Sequence, residues 1–254
     1  MDFPTELLPL VVAHRGASAA FPENTLEAFD AAVAAGAAAV EFDVRLSSDG
    51  VPVVVHDPDL ERIAGRPALV HETTAEDLTR LELPGGGTIA TLREALDRLS
   101  GRAGVDIEIK NIPGEPAFDS PREAALEACL RELEGSGFEG PVLVSSFNWL
   151  TIERCRELAP AIPTGFLTIA LMDPRAAFVY ARDAGHRWVL PNALALLDAG
   201  EGFVAEVHDA GMLAGTWVVD EPEAFERLLA MGVDAVATND PAMGERVREG
   251  FVRR

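Results

Sequence analysis

One unit repeats along the whole chain: a short apolar strand, a helix opened by a capping signal, and a glycine ahead of the next strand. Strand candidates run Leu10 to His14, Ala39 to Asp43, Val105 to Ile109, Val142 to Ser146, Thr164 to Leu167, Trp188 to Pro191, Ala214 to Val218 and Asp234 to Thr238. Asn24 with Glu27, Thr91 with Glu94, Ser120 with Pro121 and Glu123, and Asp220 with Glu223 each set a capping side chain three residues before an acid. Asp173-Pro174 and Asp240-Pro241 add the cap-then-proline start. Gly36, Gly185, Gly211 and Gly232 stand where helices should end, just before strands. In the first helix Leu26, Phe29 and Val33 have the spacing of one buried face. Strands alternating with helices that cover both sheet faces imply a parallel sheet. Eight strands is the number that closes into a (β/α)8 TIM barrel, an α/β fold; a doubly wound open sheet is the competing arrangement.

The rhythm breaks once. After Asp43 the sequence Val-Arg-Leu-Ser-Ser-Asp-Gly-Val-Pro-Val-Val-Val-His leaves too few residues for a parallel crossover, so the chain must fold back on itself. Taking Asp49-Gly50 as a two-residue turn pairs residues whose numbers sum to 99, which sets Asp43 opposite His56. Residues 44–90, with the Gly85-Gly86-Gly87 loop, are thus expected as a small insertion between the second strand and the helix beginning near Thr91, over the C-terminal mouth of the barrel. The whole of residues 1–254 is expected to be one domain carrying that insertion, since 254 residues with 48% hydrophobic content suffice for one large core.

Composition narrows the partners. A formal net charge of -21 argues against nucleic acid, because backbone phosphates would be repelled. An anionic small molecule would need a local cationic pocket, and among almost purely arginine basic residues Lys110 is the sole lysine. No stretch reads as a secretory signal, and no apolar segment approaches the roughly 20 residues of a membrane span. A soluble, cytoplasmic protein without stable membrane insertion is expected. Cys129 and Cys155 lack metal-site spacing and read as buried thiols rather than a disulfide. The oligomeric state is left open.

The chemistry sits at strand ends. His14 and Arg15 close the first strand, Glu41 and Asp43 alternate on the second, and Glu108 and Lys110 repeat that spacing on the third. Residues two apart on a strand share a face about 7 Å apart, and parallel barrel strands bring such positions to one rim. Taken singly, a histidine at a strand end is more often a hydrogen-bonded rim residue than a catalyst, and a Glu-x-Asp pair is more often one solvated face of a sheet. So many ionisable groups inside apolar runs such as Val105 to Ile109 are costly unless they meet something that compensates them. Three carboxylates without a nearby cysteine favour a hard divalent ion, Mg2+ or Ca2+, over zinc. Two imidazoles, His14 and His56, suit proton transfer at neutral pH, and Asp43 beside His56 would hold one of them in position. His71, His186 and His208 read as surface residues, and Glu23 with Asn24 as a turn and helix cap. Trp217 and Phe147 read as either core packing or a substrate wall.

His14-Arg15-Gly16, Pro22-Glu23-Asn24-Thr25, Glu41-Phe42-Asp43-Val44, Val54-Val55-His56-Asp57-Pro58, Glu108-Ile109-Lys110, Ser146-Phe147-Asn148, Trp217 and Gly232-Val233-Asp234 form an ordered set. In it the chain resembles the glycerophosphodiester phosphodiesterase family from about residue 10 to residue 242. The resemblance implies a barrel with a small insertion after the second strand and a divalent metal on Glu41, Asp43 and Glu108. It implies His14 and His56 as the acid/base pair, Arg15 and Lys110 as phosphate ligands, and Trp217 as a wall against the glycerol, with Phe147 beside it in the substrate-binding set. The implied reaction is hydrolysis of a small glycerophosphodiester to sn-glycerol 3-phosphate and an alcohol. A related phosphodiesterase of lysophospholipids or sphingolipids, or a noncatalytic phosphate-binding barrel, is the alternative; the lipid enzyme predicts a wide apolar mouth. The family often shows Thr-Asp at the last strand where this chain has Thr238-Asn239-Asp240, and Leu-x-Arg-Thr-Thr where it has Leu60-Glu61-Arg62-Ile63-Ala64. Neither departure is expected to touch the metal or acid/base set; both bear on substrate preference.

Overall fold

The computed structural model describes residues 2–200 and 202–253. Eight parallel strands close a barrel: β1 (Leu10–His14), β2 (Ala39–Leu46), β6 (Gly104–Ile109), β7 (Val142–Ser146), β8 (Thr164–Thr168), β9 (Trp188–Pro191), β10 (Leu213–Thr216) and β11 (Ala235–Thr238). Closure is shown by β1, which pairs with β11 on one side and with β2 on the other. Between β2 and β6 lie β3 (Pro52–Val54), which adds antiparallel to β2, and the small ribbon of β4 (Asp59–Leu60) with β5 (Arg66–Leu69). The expected alternation of strand and helix therefore closes rather than staying open.

Period-two alternation explains how the barrel holds both a core and a site. On β1, Val11 and Ala13 face the helices while Leu10, Val12 and His14 face the interior. On β2, Val40, Phe42 and Val44 pack outward, so Ala39, Glu41 and Asp43 point in; on β6, Val105, Ile107 and Ile109 pack outward, so Asp106, Glu108 and Lys110 point in. The outward row is anchored by Phe29 of the first helix against Phe42, ring centroids 5.5 Å apart. Truncating a buried phenylalanine of this kind costs about 3 to 5 kcal/mol. In the interior, Leu190 fills the space that two glycines leave: a Cβ on Gly165 would lie 2.6 Å from its Cδ1 and one on Gly215 2.8 Å from its Cδ2.

The hairpin register differs from the sequence expectation by one residue. Ser47 N donates to Val51 O, and the paired residues are Val44 with Val54, Arg45 with Val53 and Leu46 with Pro52. The loop is therefore three residues, with Gly50 at φ 80 in its left-handed position. Ser47 Oγ stabilises that longer loop by accepting from Val51 N at 3.0 Å and donating to Asp49 Oδ1 at 2.6 Å. Asp43 consequently faces Val55, whose N–H donates to its carbonyl, and not His56. Residues between β3 and the helix Leu92–Leu99 gather around their own apolar cluster, which includes Leu60, Val70, Leu78 and Ile89.

Several caps also fall elsewhere. Thr91 and Glu94 form the full capping box, and Asp173 and Asp240 cap as expected. Thr25, not Asn24, caps the first helix, accepting from Ala28 N. Glu123 and Glu221 hold the cap positions assigned to Ser120 and Asp220. Cys129 and Cys155 are both free and buried. Among the described residues no helix is long and apolar enough to cross a membrane.

Candidate active site

The C-terminal ends of β1, β2 and β6 bring the expected residues together. Side-chain oxygens of Glu41, Asp43 and Glu108 all lie within 4.8 Å of one another, and all three residues are buried. The spacing follows from register, since β2 and β6 pair Glu41 with Asp106 and Asp43 with Glu108, while β1 pairs His14 with Glu41. Arg15 takes φ 56 and Gly16 φ 82, turning the chain so that Arg15 N donates to Glu41 Oε2 at 2.9 Å. Any Cβ on Gly16 would sit 2.7 Å from the Ala28 carbonyl carbon, so this turn requires glycine.

Two cations balance the acids. Arg15 Nε lies 3.1 Å from Asp43 Oδ2, and Lys110 Nζ lies 3.0 Å from Asp43 Oδ1 and also donates to Glu108 Oε1. Asn24, freed from capping, donates to Asp43 Oδ2 at 2.8 Å. Burial and the neighbouring Asp43 and Glu108 charges push the Glu41 carboxyl well above its usual value, and burial carries Glu108 to about 7 against the pull of Lys110. Burial opposes charge on Asp43 too, but Lys110, Arg15 and His56 overcome it and hold Asp43 well below the usual carboxylate range.

These acids fit a divalent cation. Among the described residues Glu41 Oε1 is buried with no hydrogen-bond partner, and oxygen is the ligand atom such an ion prefers. A cation there would be held by Glu41, Asp43 and Glu108. It would also remove the cost that burial places on Glu41.

The histidines differ in their partners. His14 Nδ1 meets Asn239 Oδ1 at 2.8 Å, and its Nε2 faces Glu41 Oε2 at 4.0 Å. Asn239 is itself oriented: its Nδ2 donates to Asp220 Oδ2 at 2.6 Å and its backbone N to Asp220 Oδ1 at 2.8 Å, leaving its oxygen toward His14. In the neutral ring the proton therefore sits on Nδ1 and the lone pair on Nε2. Burial, aided by Arg15, lowers His14 to about 4. His56 instead meets a carboxylate, with Nδ1 2.7 Å from Asp57 Oδ1; Asp57 is held by Arg62, and Arg62 by Glu23, which also binds Arg15. Burial lowers His56 as well, with Asp43 and Asp57 opposing.

Four expectations change here. The partner of His56 is Asp57, because the three-residue hairpin loop moves Asp43 away from it. Asn24 is a ligand of Asp43 rather than a helix cap, because Thr25 takes that place. The departure at Asn239 does touch one of the two histidines expected to move protons, since barrel closure sets β11 against β1 and so Asn239 beside His14. His186 is buried at 3% exposure against Thr164 Oγ1, whereas His71 and His208 keep solvent contact.

Beneath the acids is a cavity of about 280 Å³, lined by Leu10, Leu143, Leu167 and Leu190 and reached past His14, His56, Phe147 and Trp217. Phe147 and Trp217 pack edge to face, centroids 5.2 Å apart, and Lys110 Nζ lies 5.6 Å from the Phe147 ring. Sequence reading missed Asp106, which lines the same cavity one alternation below Glu108; burial raises it to about 7 although Ser145 donates to it at 2.7 Å. Its signal was present as Asp-x-Glu-x-Lys on one strand.

Comparison with known proteins gives a consistent result. The sequence pattern of the glycerophosphoryl diester phosphodiesterase family matches residues 14–243. A glycerophosphodiester phosphodiesterase from Caldanaerobacter subterraneus subsp. tengcongensis is 30% identical over 245 residues, covering 91% of this chain and 94% of its own. One from Bacillus altitudinis is 30% identical over 253 residues, covering 94% of this chain and 98% of its own. An Oleispira antarctica phosphodiesterase, solved with the product sn-glycerol-3-phosphate, superposes with a TM-score of 0.83 at 26% identity, covering 96% of this chain and 98% of that one.

Proposed function

Since this chain belongs to the glycerophosphoryl diester phosphodiesterase family, we propose that it hydrolyses glycerophosphodiesters to sn-glycerol 3-phosphate and a free alcohol at the acidic mouth of the barrel. The observation that carries the reading is the unpartnered, buried Glu41 Oε1 within the cluster of three carboxylates. Glu41, Asp43 and Glu108 would hold a divalent ion there, Mg2+ or Ca2+, which when bound would supply positive charge to stabilise the phosphoryl oxygens. Arg15 and Lys110 face the same place and bind the phosphate. Phe147 and Trp217 wall the glycerol.

In the net reaction the P–O bond to the alcohol breaks and a water oxygen ends on phosphorus. One proton leaves the attacking hydroxyl, and one reaches the departing oxygen. His14 offers an unprotonated Nε2 and suits the first transfer; His56, backed by the Asp57 carboxylate, can carry the proton for the second. The attacking hydroxyl is that of water, or a neighbouring substrate hydroxyl whose cyclic ester water then opens. Cytoplasmic location is part of the same proposal.

The test is a panel of glycerophosphodiesters, including glycerophosphocholine and glycerophosphoethanolamine, assayed with Mg2+ or Ca2+ and after chelation. Release of glycerol 3-phosphate that stops on chelation, and in His14→Ala and His56→Ala, is the expected result. Full activity in both variants, or binding without turnover, would sink it.

A further inference from the structure

The exits of β7, β8 and β9, three neighbours in the barrel wall, carry large apolar side chains in solvent: Trp149 (49% exposed), Leu150, Ile169 (53%), Leu171 (93%), Met172 and Leu194 (67%). All six follow the C-terminal ends of their strands, so they stand on the same face of the barrel as the acidic mouth. Singly exposed apolar residues are ordinary, but a run of them along one rim marks a surface that meets something apolar.

Apart from Asp173, which follows Met172, the same rim carries no charge in an otherwise highly charged protein. The stretches that leave these strands, residues 147–152, 169–172 and 192–197, contain no Asp, Glu, Lys or Arg, although the chain carries a net charge of -21. Helix first turns favour acids, yet the helices that open at Trp149, Pro174 and Ala193 have none there. Asn148 and Asn192, both neutral, cap two of them, and Asp173 caps the third. The rim is also continuous with the site, for Phe147, two residues before Trp149 in the chain, lines the cavity beneath the carboxylates.

We infer that this rim docks on a zwitterionic phospholipid surface, with the mouth turned toward the headgroups. A nearly charge-free patch can leave water for a neutral interface without stranding an unpaired charge, whereas the rest of this acidic protein is repelled by an anionic membrane. A second copy of the chain seated on the rim would cap the mouth; a lipid surface instead presents phosphodiesters to it. The inference rests on the phosphodiesterase reading for its purpose, but the docking itself needs no turnover.

The experiment is flotation of the full chain with phosphatidylcholine vesicles, and with vesicles in which phosphatidylglycerol replaces part of the phosphatidylcholine. The wild type should float with the first and less with the second. Leu171→Glu combined with Leu194→Glu should lower vesicle binding roughly ten-fold or more, because two apolar anchors are lost, while soluble glycerophosphocholine is hydrolysed at the wild-type rate. Wild-type protein that stays with the unbound fraction, or a double variant that floats equally well, overturns the inference. So does a dimer in sedimentation velocity that the double variant abolishes, without vesicle binding, which would name a second copy as the occupant. Flotation by a protein that hydrolyses no glycerophosphodiester would leave docking standing and sink the catalytic reading instead.

Discussion

The two sides of the barrel mouth are built on opposite principles. Strands β1, β2 and β6 end in His14, Arg15, Glu41, Asp43, Glu108 and Lys110, a buried set in which every charge depends on another. Strands β7 to β10 end among uncharged residues, with Phe147 and Trp217 facing the acids across the opening. The difference teaches why the charged side can exist. Ionised groups taken from water need partners, and their mutual attraction strengthens where the opposite wall excludes water. The apolar side thus lowers the local dielectric, and the charged side satisfies itself internally.

Neutralising the centre of the charged side should have the largest effect. In Asp43→Asn the Arg15 and Lys110 cations keep their places but lose the carboxylate between them, and the cation site loses one of three ligands. Hydrolysis of glycerophosphocholine should fall on the order of 10³-fold in kcat/KM, the size expected when a preorganised electrostatic group is lost. Metal titration by calorimetry should show weaker binding in the same variant. Unchanged binding with unchanged rate would mean that the two sides of the mouth do not differ in the way described.

The next effect separates a reacting group from the residue that positions it. Asn239 reaches His14 through its oxygen only because Asp220 takes its amide hydrogens. Asn239→Leu should lower kcat roughly 10- to 100-fold, the scale seen when the partner that orients an active imidazole is removed, with KM little changed. Asn239→Asp, which can still accept from Nδ1, should recover most of the rate. Equal losses in both variants would point to a packing role and remove Asn239 from the charged side.

What the sequence disclosed follows the same division. Glu41 with Asp43 and Glu108 with Lys110 were legible because strand alternation is local, and two charges at period two inside apolar runs can only share a face. The eight strands were legible for the same reason: Leu10–His14, Val142–Ser146 and Trp188–Pro191 have the expected bounds, and the other five differ by one to three residues at an end. Contacts made by closing the barrel were not: His14 and Asn239 are 225 residues apart and meet only because β1 joins β11. Nor were choices between adjacent residues of similar chemistry. Asn24 and Thr25 can both cap a helix, and Thr25 won because Asn24 was drawn to Asp43. The hairpin loop turned on Ser47 Oγ, whose bonds no two-residue turn pattern would reveal.

The smallest effect tests the end of the barrel away from the mouth, where the chain enters β9. His186, in the turn before β9, is enclosed with Nδ1 2.8 Å from Thr164 Oγ1, and burial, with help from Arg156, lowers it to about 4. A histidine whose folded value lies below its unfolded value of about 6.5 leaves stability untouched above that pH. Below it the unfolded chain takes the proton first, so stability is lost as pH falls from about 6.5 to about 4 and changes no further beneath that. At 1.36 kcal/mol per unit, the loss by pH 4.5 should be on the order of 2 kcal/mol. His186→Gln keeps a polar group toward Thr164 but cannot titrate. Urea unfolding at pH 7 and pH 4.5 should therefore show a smaller drop in the variant than in the wild type, by about that amount. Equal drops would show that His186 contributes nothing to the acid sensitivity.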